Sequence, residues 1–114
     1  MRPKKSLGQN FLIDKNISNK ILKLINNFEN KNIIEIGPGT GALTEIIINK
    51  NPKKLILIEK DTILFNKLFE KYKNNKSIKI YNEDALNFNF TRIKKPKSII
   101  ANLPYNISIK LIIN

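Results

Sequence analysis

The sequence predicts an α/β fold built on a parallel, doubly wound sheet. Two observations carry that reading. Short β-branched runs begin near residues 33, 55, 78 and 98, about 22 residues apart, which leaves room for a crossover helix between parallel strands. Between the first three lie stretches whose apolar residues recur every three to four positions, the period of an amphipathic helix. Successive units of this size pack with right-handed crossovers into one open sheet.

The elements follow in order. Asp14 is placed to cap a helix over residues 14–28, where Ile17, Ile21, Leu22, Leu24, Ile25 and Phe28 form one apolar stripe among Lys and Asn. Asn32-Ile33-Ile34-Glu35-Ile36 is short, β-branched and stopped by Gly37, hence a strand. Beyond a Gly-rich turn, residues 43–48 are predicted helical and end before Pro52, although their Ile run suits a strand equally by propensity. Residues 54–58 form the second strand. Residues 62–72 form the next helix, with Ile63, Leu64, Phe65, Leu68, Phe69 and Tyr72 in helical register. Residues 78–81 are the third strand, 82–89 a polar loop, and 98–101 the fourth strand, closed by Asn102-Leu103-Pro104-Tyr105. On this reading the fourth strand is an unprotected edge, and residues 108–114 begin an amphipathic segment with no helix stop signal.

Composition limits the chemistry. The 114 residues include 21 Lys+Arg, 9 Asp+Glu, no His and no Cys, for a formal net charge of +12. A chain of this length buries roughly two thirds of its unfolded surface in one core, and a hydrophobic content of 41% is too high for a disordered basic tail. Without Cys or His there is no disulfide framework, thiolate or HExxH metal site, or imidazole base. Only Arg2 and Arg92 are arginines. Codon bias towards A and T explains that choice of Lys over Arg. It does not create positive charge, so the excess still predicts a polyanionic partner, nucleic acid foremost. The longest apolar run is Leu55-Ile56-Leu57-Ile58, far from the about 20 residues of a membrane-spanning helix. Met1-Arg2-Pro3-Lys4-Lys5 looks like the start of a signal peptide, but Ser6, Gln9 and Asn10 interrupt any apolar region after it. The expected location is the cytoplasm.

Open α/β sheets bind ligands at the carboxyl ends of their strands, beside the point where strand order reverses. The unusual residues fall there: Gly37 to Gly41 after the first strand, Glu59 after the second, Asp84 after the third and Asn102 to Tyr105 after the fourth. Gly37, Gly39 and Ala42 satisfy the dinucleotide pattern G-x-G-x-x-G/A, with Glu59 about 20 residues on as a ribose-binding acid should be. NAD, and with it a dehydrogenase, is therefore one reading. The tighter spacing Glu35-x-Gly37-x-Gly39-x-Gly41, and Asp84 as an acceptor for an adenine amino group, favour S-adenosylmethionine. Asp84 also reads as a plain loop cap.

Asn102-Leu103-Pro104-Tyr105 is the most specific feature. Methylating an exocyclic amino nitrogen is hard because its lone pair is delocalised into the ring. The Asn102 side-chain oxygen and a main-chain carbonyl of Leu103 or Pro104 would accept the amino hydrogens and localise that lone pair. Pro104 stiffens the turn and contributes no competing N–H. Tyr105 offers a ring for an extruded base to stack on, typically worth about 1–3 kcal/mol. A Pro-Tyr turn closing a strand end would account for Pro104 and Tyr105, but not for Asn102.

Five ordered segments carry a family resemblance: residues 5–12 (KSLGQNFL), 35–44 (EIGPGTGALT), 59–61 (EKD), 83–85 (EDA) and 102–108 (NLPYNIS). Together they resemble the ribosomal RNA adenine N6-dimethyltransferases, most closely the small-subunit (KsgA-type) branch. A sister branch that methylates large-subunit RNA more often has Ile at the position of Leu103 and lacks the Pro-Gly-Thr-Gly-Ala-Leu-Thr run. The resemblance implies a Rossmann-like class I S-adenosylmethionine-dependent methyltransferase, here incomplete with about four strands. It implies cofactor contacts by Asn10, Leu12, Gly37, Glu59 (ribose), Asp84 (adenine) and Asn102, with Gln9, Glu35 and Gly39 as further candidates. For the target it implies Asn102, Leu103 and Pro104 at the amine and Tyr105 against the base.

The implied domains are residues 1–31, an N-terminal segment and helix, and 32–114, the first part of the cofactor-binding domain. Family members are roughly twice as long, so the remaining strands and a C-terminal helical RNA-binding domain are expected to lie outside this chain. The implied activity is dimethylation of two adjacent adenosines near the 3′ end of small-subunit ribosomal RNA. The implied partner is that RNA or its ribosomal subunit, with no metal, no membrane and a monomeric protein. A ribosome-assembly factor that binds the RNA with a silent methyltransferase site is the alternative from another class.

Overall fold

The structure is a computed structural model that describes Lys23, Ile25, residues 27–102 and residues 107–110. Five strands form one sheet: β1 (Asn32–Ile36), β2 (Lys54–Ile58), β3 (Ile78–Tyr81), β4 (Lys97–Asn102) and β5 (Ile107–Lys110). Two α-helices lie between the first three, α1 (Ala42–Ile48) and α2 (Thr62–Tyr72). The sheet order is β3-β2-β1-β4-β5. The first four strands run parallel, with Ile36 opposite Ile58 and Ala101, while β5 runs antiparallel to β4.

The strand composition explains the two-sided core. Ile33, Leu55, Leu57 and Ile100 pack with Phe28, Leu43, Ile47, Leu68 and Tyr72 on one face. Ile34, Ile56, Ile58 and Ile99 pack with Phe88, Phe90 and Ile93 on the other. Strands buried on both faces read as nearly continuous apolar runs, as Leu55–Ile58 does. The Ile run at 46–48 is helical because only Ile47 points fully inward, next to Leu43 and Thr44 one turn back, with Glu45 exposed. Asp61 starts α2 by accepting the Leu64 amide on its side chain at 3.0 Å, an N-cap.

Three expectations need correction. The helix predicted over 14–28 falls largely outside the described residues. Lys23 is helical, but Phe28–Asn30 is a short 3₁₀ turn entered through Asn27 at φ 54°, a left-handed conformation that Asn tolerates. Strand β4 is not an edge, because β5 pairs along it from Asn102↔Ile107 to Ile99↔Lys110. Ile107-Ser108-Ile109-Lys110 alternates apolar and polar residues with period two, a strand pattern the amphipathic reading passed over. The segment after β3 holds 3₁₀ turns at Ala85–Asn87 and Phe90–Arg92. Among the described residues both α-helices lie on one face, and this segment covers the other with edge-on contacts of Phe88 to Tyr81 and Phe90, each 5.1 Å between centroids.

Tyr72 and Glu45 tie α2 to α1. The Tyr72 hydroxyl donates to Glu45 Oε2. Burial and that bond hold the phenol proton far above its usual range, while the Tyr72 bond, ahead of Lys71 3.3 Å away, holds the Glu45 carboxyl below its own. Linkage gives two signs. The lowered Glu45 contributes stability present above its unfolded value of 4.5 and lost as pH falls through its folded one; the raised Tyr72 contributes stability that declines above its unfolded value of 10.0. Thermal melts of wild type and Tyr72→Phe should therefore differ most between about pH 5 and 9. They should converge at pH 3, and a constant difference down to pH 3 would contradict the link.

Candidate active site

The chain leaves β1 for β2 and β3 on one side and returns to β4 on the other. The carboxyl ends of β1 and β4 therefore flank the switch point where such sheets open a ligand crevice. The pair Ile36↔Ala101 sets the next residues, Gly37 and Asn102, side by side at that crevice. Glu59 follows β2 directly, and Asp84 comes three residues after β3.

The turn after β1 is held from several sides. The Gly37 amide donates to the Ile58 carbonyl and the Gly41 amide to the Pro38 carbonyl, each at 2.9 Å. Gly39, at φ 59°, donates its amide to Glu59 Oε1 at 3.0 Å. Among the described residues, a side chain built there would meet nothing nearer than the Gly37 carbonyl oxygen at 4.0 Å, so none of them fills the outer side of the turn. Gly41 is different. At φ 90° its missing Cβ would lie 3.3 Å from Leu68 Cδ2, combining a left-handed backbone with a tight contact. Gly41→Ala should destabilise the fold by about 1–3 kcal/mol, read from denaturant melts; an unchanged midpoint would show that α2 yields freely. Beneath the turn, Thr44 Oγ1 donates to the fully buried Glu35 Oε1 at 2.5 Å, bracing α1 against β1.

Glu59 is the hinge of the site. It is 6% exposed, and its two carboxylate oxygens accept separate amides, Gly39 on Oε1 and Asp61 on Oε2, each at 3.0 Å. One side chain thus links the glycine turn to the start of α2. Asn82 continues the link. Its Nδ2 donates to the Glu59 carbonyl at 2.9 Å and the Lys60 carbonyl at 3.2 Å, fastening the end of β2 to the start of the loop that carries Asp84. Asp84 accepts the Leu86 amide on Oδ1 at 3.0 Å, which is the loop-cap reading. That contact engages one carboxylate oxygen.

Of the candidates from sequence, Gly37, Gly39, Glu59, Asp84 and Asn102 gather at the carboxyl end of the sheet. Glu35 lies beneath, against α1. Asn10, Leu12, Gln9, Leu103, Pro104 and Tyr105 lie outside the described residues. Sequence reasoning missed Asn82 and Arg92. The only signal for Asn82 is an amide just past a strand end; that for Arg92 is its rarity in a lysine-rich chain.

A profile of the ribosomal RNA adenine dimethylase family matches residues 1–114. The chain belongs to that family. Family membership sets the dinucleotide reading of the glycine turn aside. The chain is 46% identical to "Ribosomal RNA small subunit methyltransferase A" of a Hydrogenobaculum species over 114 residues, covering all of this chain and 44% of that protein. It is 47% identical to the protein of the same name from Pelagibacter ubique, covering 98% of this chain and 42% of the relative. The chain therefore spans less than half the length of these dimethylases. Among solved structures it resembles a dimethyladenosine transferase from Plasmodium falciparum, with a TM-score of 0.61 at 19% identity over 77% of this chain and 42% of that one. That likeness shows the dimethylase fold. Among the described residues no helix is long and apolar enough to cross a membrane.

Proposed function

We propose that the full-length protein transfers methyl groups from S-adenosylmethionine to N6 of two adjacent adenosines near the 3′ end of small-subunit ribosomal RNA. The product is N6,N6-dimethyladenosine, made in the cytoplasm by a monomer as part of ribosome biogenesis. The observation that carries this reading is the placement of Asn102 beside Gly37 at the switch point of a ribosomal RNA adenine dimethylase. The small-subunit name of its relatives and the +12 charge support the choice of RNA.

The residues present fit the cofactor. The open turn at Gly37 to Gly39 admits a ligand to the backbone, the buried Glu59 carboxylate stands beside it for the ribose hydroxyls, and Asp84 waits at the next strand end for the adenine amine. Asn10 and Leu12 complete the contacts from the N-terminal segment. Bound S-adenosylmethionine supplies an electrophilic methyl on sulfur. The chain supplies positioning. The Asn102 carboxamide oxygen and a main-chain carbonyl of Leu103 or Pro104 accept the two amino hydrogens, turning the nitrogen lone pair towards the methyl. Tyr105 stacks the extruded base. Once the first methyl is on the nitrogen and one amino proton has gone to solvent water, a single N–H remains for one of the two acceptors to orient. This scheme needs no imidazole base.

Calorimetric titration of the full-length protein tests the cofactor assignment. S-adenosylmethionine should bind and NAD should not. Binding of NAD with no response to S-adenosylmethionine would overturn it.

A further inference from the structure

We propose that Arg92 is a positioning residue for the cofactor, clipping together the two ends of the loop after β3 so that Asp84 is held at the rim of the site. The inference rests on the reading of Asp84 as the adenine ligand. The Arg92 guanidinium carbon lies 4.8 Å from the centroid of the Tyr81 ring and 4.9 Å from that of Phe88, and Nη1 lies 3.7 Å from Glu83 Oε2. Tyr81 ends β3 and Glu83 immediately precedes Asp84. Phe88, on the far side of the turn, is anchored in the core beside Ile34, Ile56, Ile58 and Ile99. One side chain therefore touches the loop before Asp84, after it, and at the residue next to it.

A guanidinium suits this place and an ammonium does not. A planar group can lie against rings and still present N–H to a carboxylate, whereas Lys offers a compact point charge that prefers water. Of the 21 basic residues only two are Arg, so the single arginine within the described residues stands where the chemistry of arginine is used. The clip acts on the second of the two cofactor acids. Glu59 is held by its own buried amide contacts, whereas Asp84 sits in a loop tied to the end of β2 by Asn82 and anchored by Phe88 against Ile56 and Ile58.

The test compares Arg92→Ala, Arg92→Lys, Asp84→Ala and the double variant Arg92→Ala with Asp84→Ala in the full-length protein, measuring cofactor affinity, KM and kcat. Arg92 and Glu83 side chains are 44% and 36% exposed, so the variants should fold, and melting temperatures verify this. Arg92→Ala should raise the cofactor KM and Kd roughly three- to tenfold with kcat at saturating cofactor unchanged. Arg92→Lys should restore that affinity only in part. In the Asp84→Ala background, Arg92→Ala should have little further effect. An unchanged KM, a loss confined to melting temperature or kcat, full rescue by Lys, or an additive effect in the double variant would each overturn the proposal. Full cofactor affinity in Asp84→Ala would instead overturn the adenine reading, and the role of Arg92 with it.

Discussion

Replacing Asn102 by Ala in the full-length protein should lower methyl transfer to RNA by a factor of about 10²–10³, the usual effect of removing one preorganised partner of a transition state. The reason is geometric. Asn102 ends β4, the strand that returns to the sheet on the far side of β1, and the register sets it next to Gly37. The residue therefore stands beside the glycine turn, where the proposed mechanism needs it. Because its proposed work is to orient a nitrogen lone pair, the loss should fall mainly on kcat, with cofactor affinity less affected. Single-turnover rates with saturating cofactor and RNA read this directly. A rate equal to wild type would remove Asn102 from the mechanism. An assembly defect rescued by the same variant would favour the alternative of an RNA-binding assembly factor with a silent site.

Glu59→Ala should have the opposite kinetic signature. The Glu59 carboxylate holds the Gly39 and Asp61 amides and is the proposed acceptor for the ribose hydroxyls. Hydrogen bonds to a charged group contribute about 1.5–3 kcal/mol each, so losing the ribose contact alone should weaken cofactor binding about 10- to 150-fold. The glycine turn also loses its tether, so weakening at the upper end of that range is expected. With cofactor raised to saturation, much of the rate should return, since the proposed role of Glu59 is at the ribose and not at the reacting amine. Unchanged cofactor affinity would contradict the assignment of Glu59, whereas a kcat loss that saturation cannot restore would point to a role at the reacting atoms.

Helix α2 and the parallel strands were legible in the sequence because each is a short periodic pattern with a hard stop, whereas the Ile run of α1 suited a strand equally. Gly37 ends β1, Asp61 caps α2, and the β-branched runs of β1 and β2 have no polar face to confuse them. Local pattern also placed the candidate acids, since ligands of such sheets gather at strand ends. What was not legible depended on contacts distant in sequence. Strand β5 is a four-residue alternation whose pairing with β4 is visible only in the fold. The 3₁₀ turns at 85–87 and 90–92 have no period to detect. Asn82 gains its place from carbonyls more than 20 residues earlier, and Arg92 from rings on both sides of its loop. Glu35, which sequence offered as a cofactor candidate, also accepts the Thr44 hydroxyl beneath the turn, a contact no local pattern announces.

The measurement that bears most directly on the central claim is the position of the methyl groups. The full-length protein, incubated with labelled S-adenosylmethionine and unmethylated small ribosomal subunits, should yield N6,N6-dimethyladenosine at two adjacent positions near the 3′ end of the small-subunit RNA, mapped by mass spectrometry of nuclease fragments. Label found in large-subunit RNA, or no RNA methylation by a protein that binds the cofactor, would contradict it.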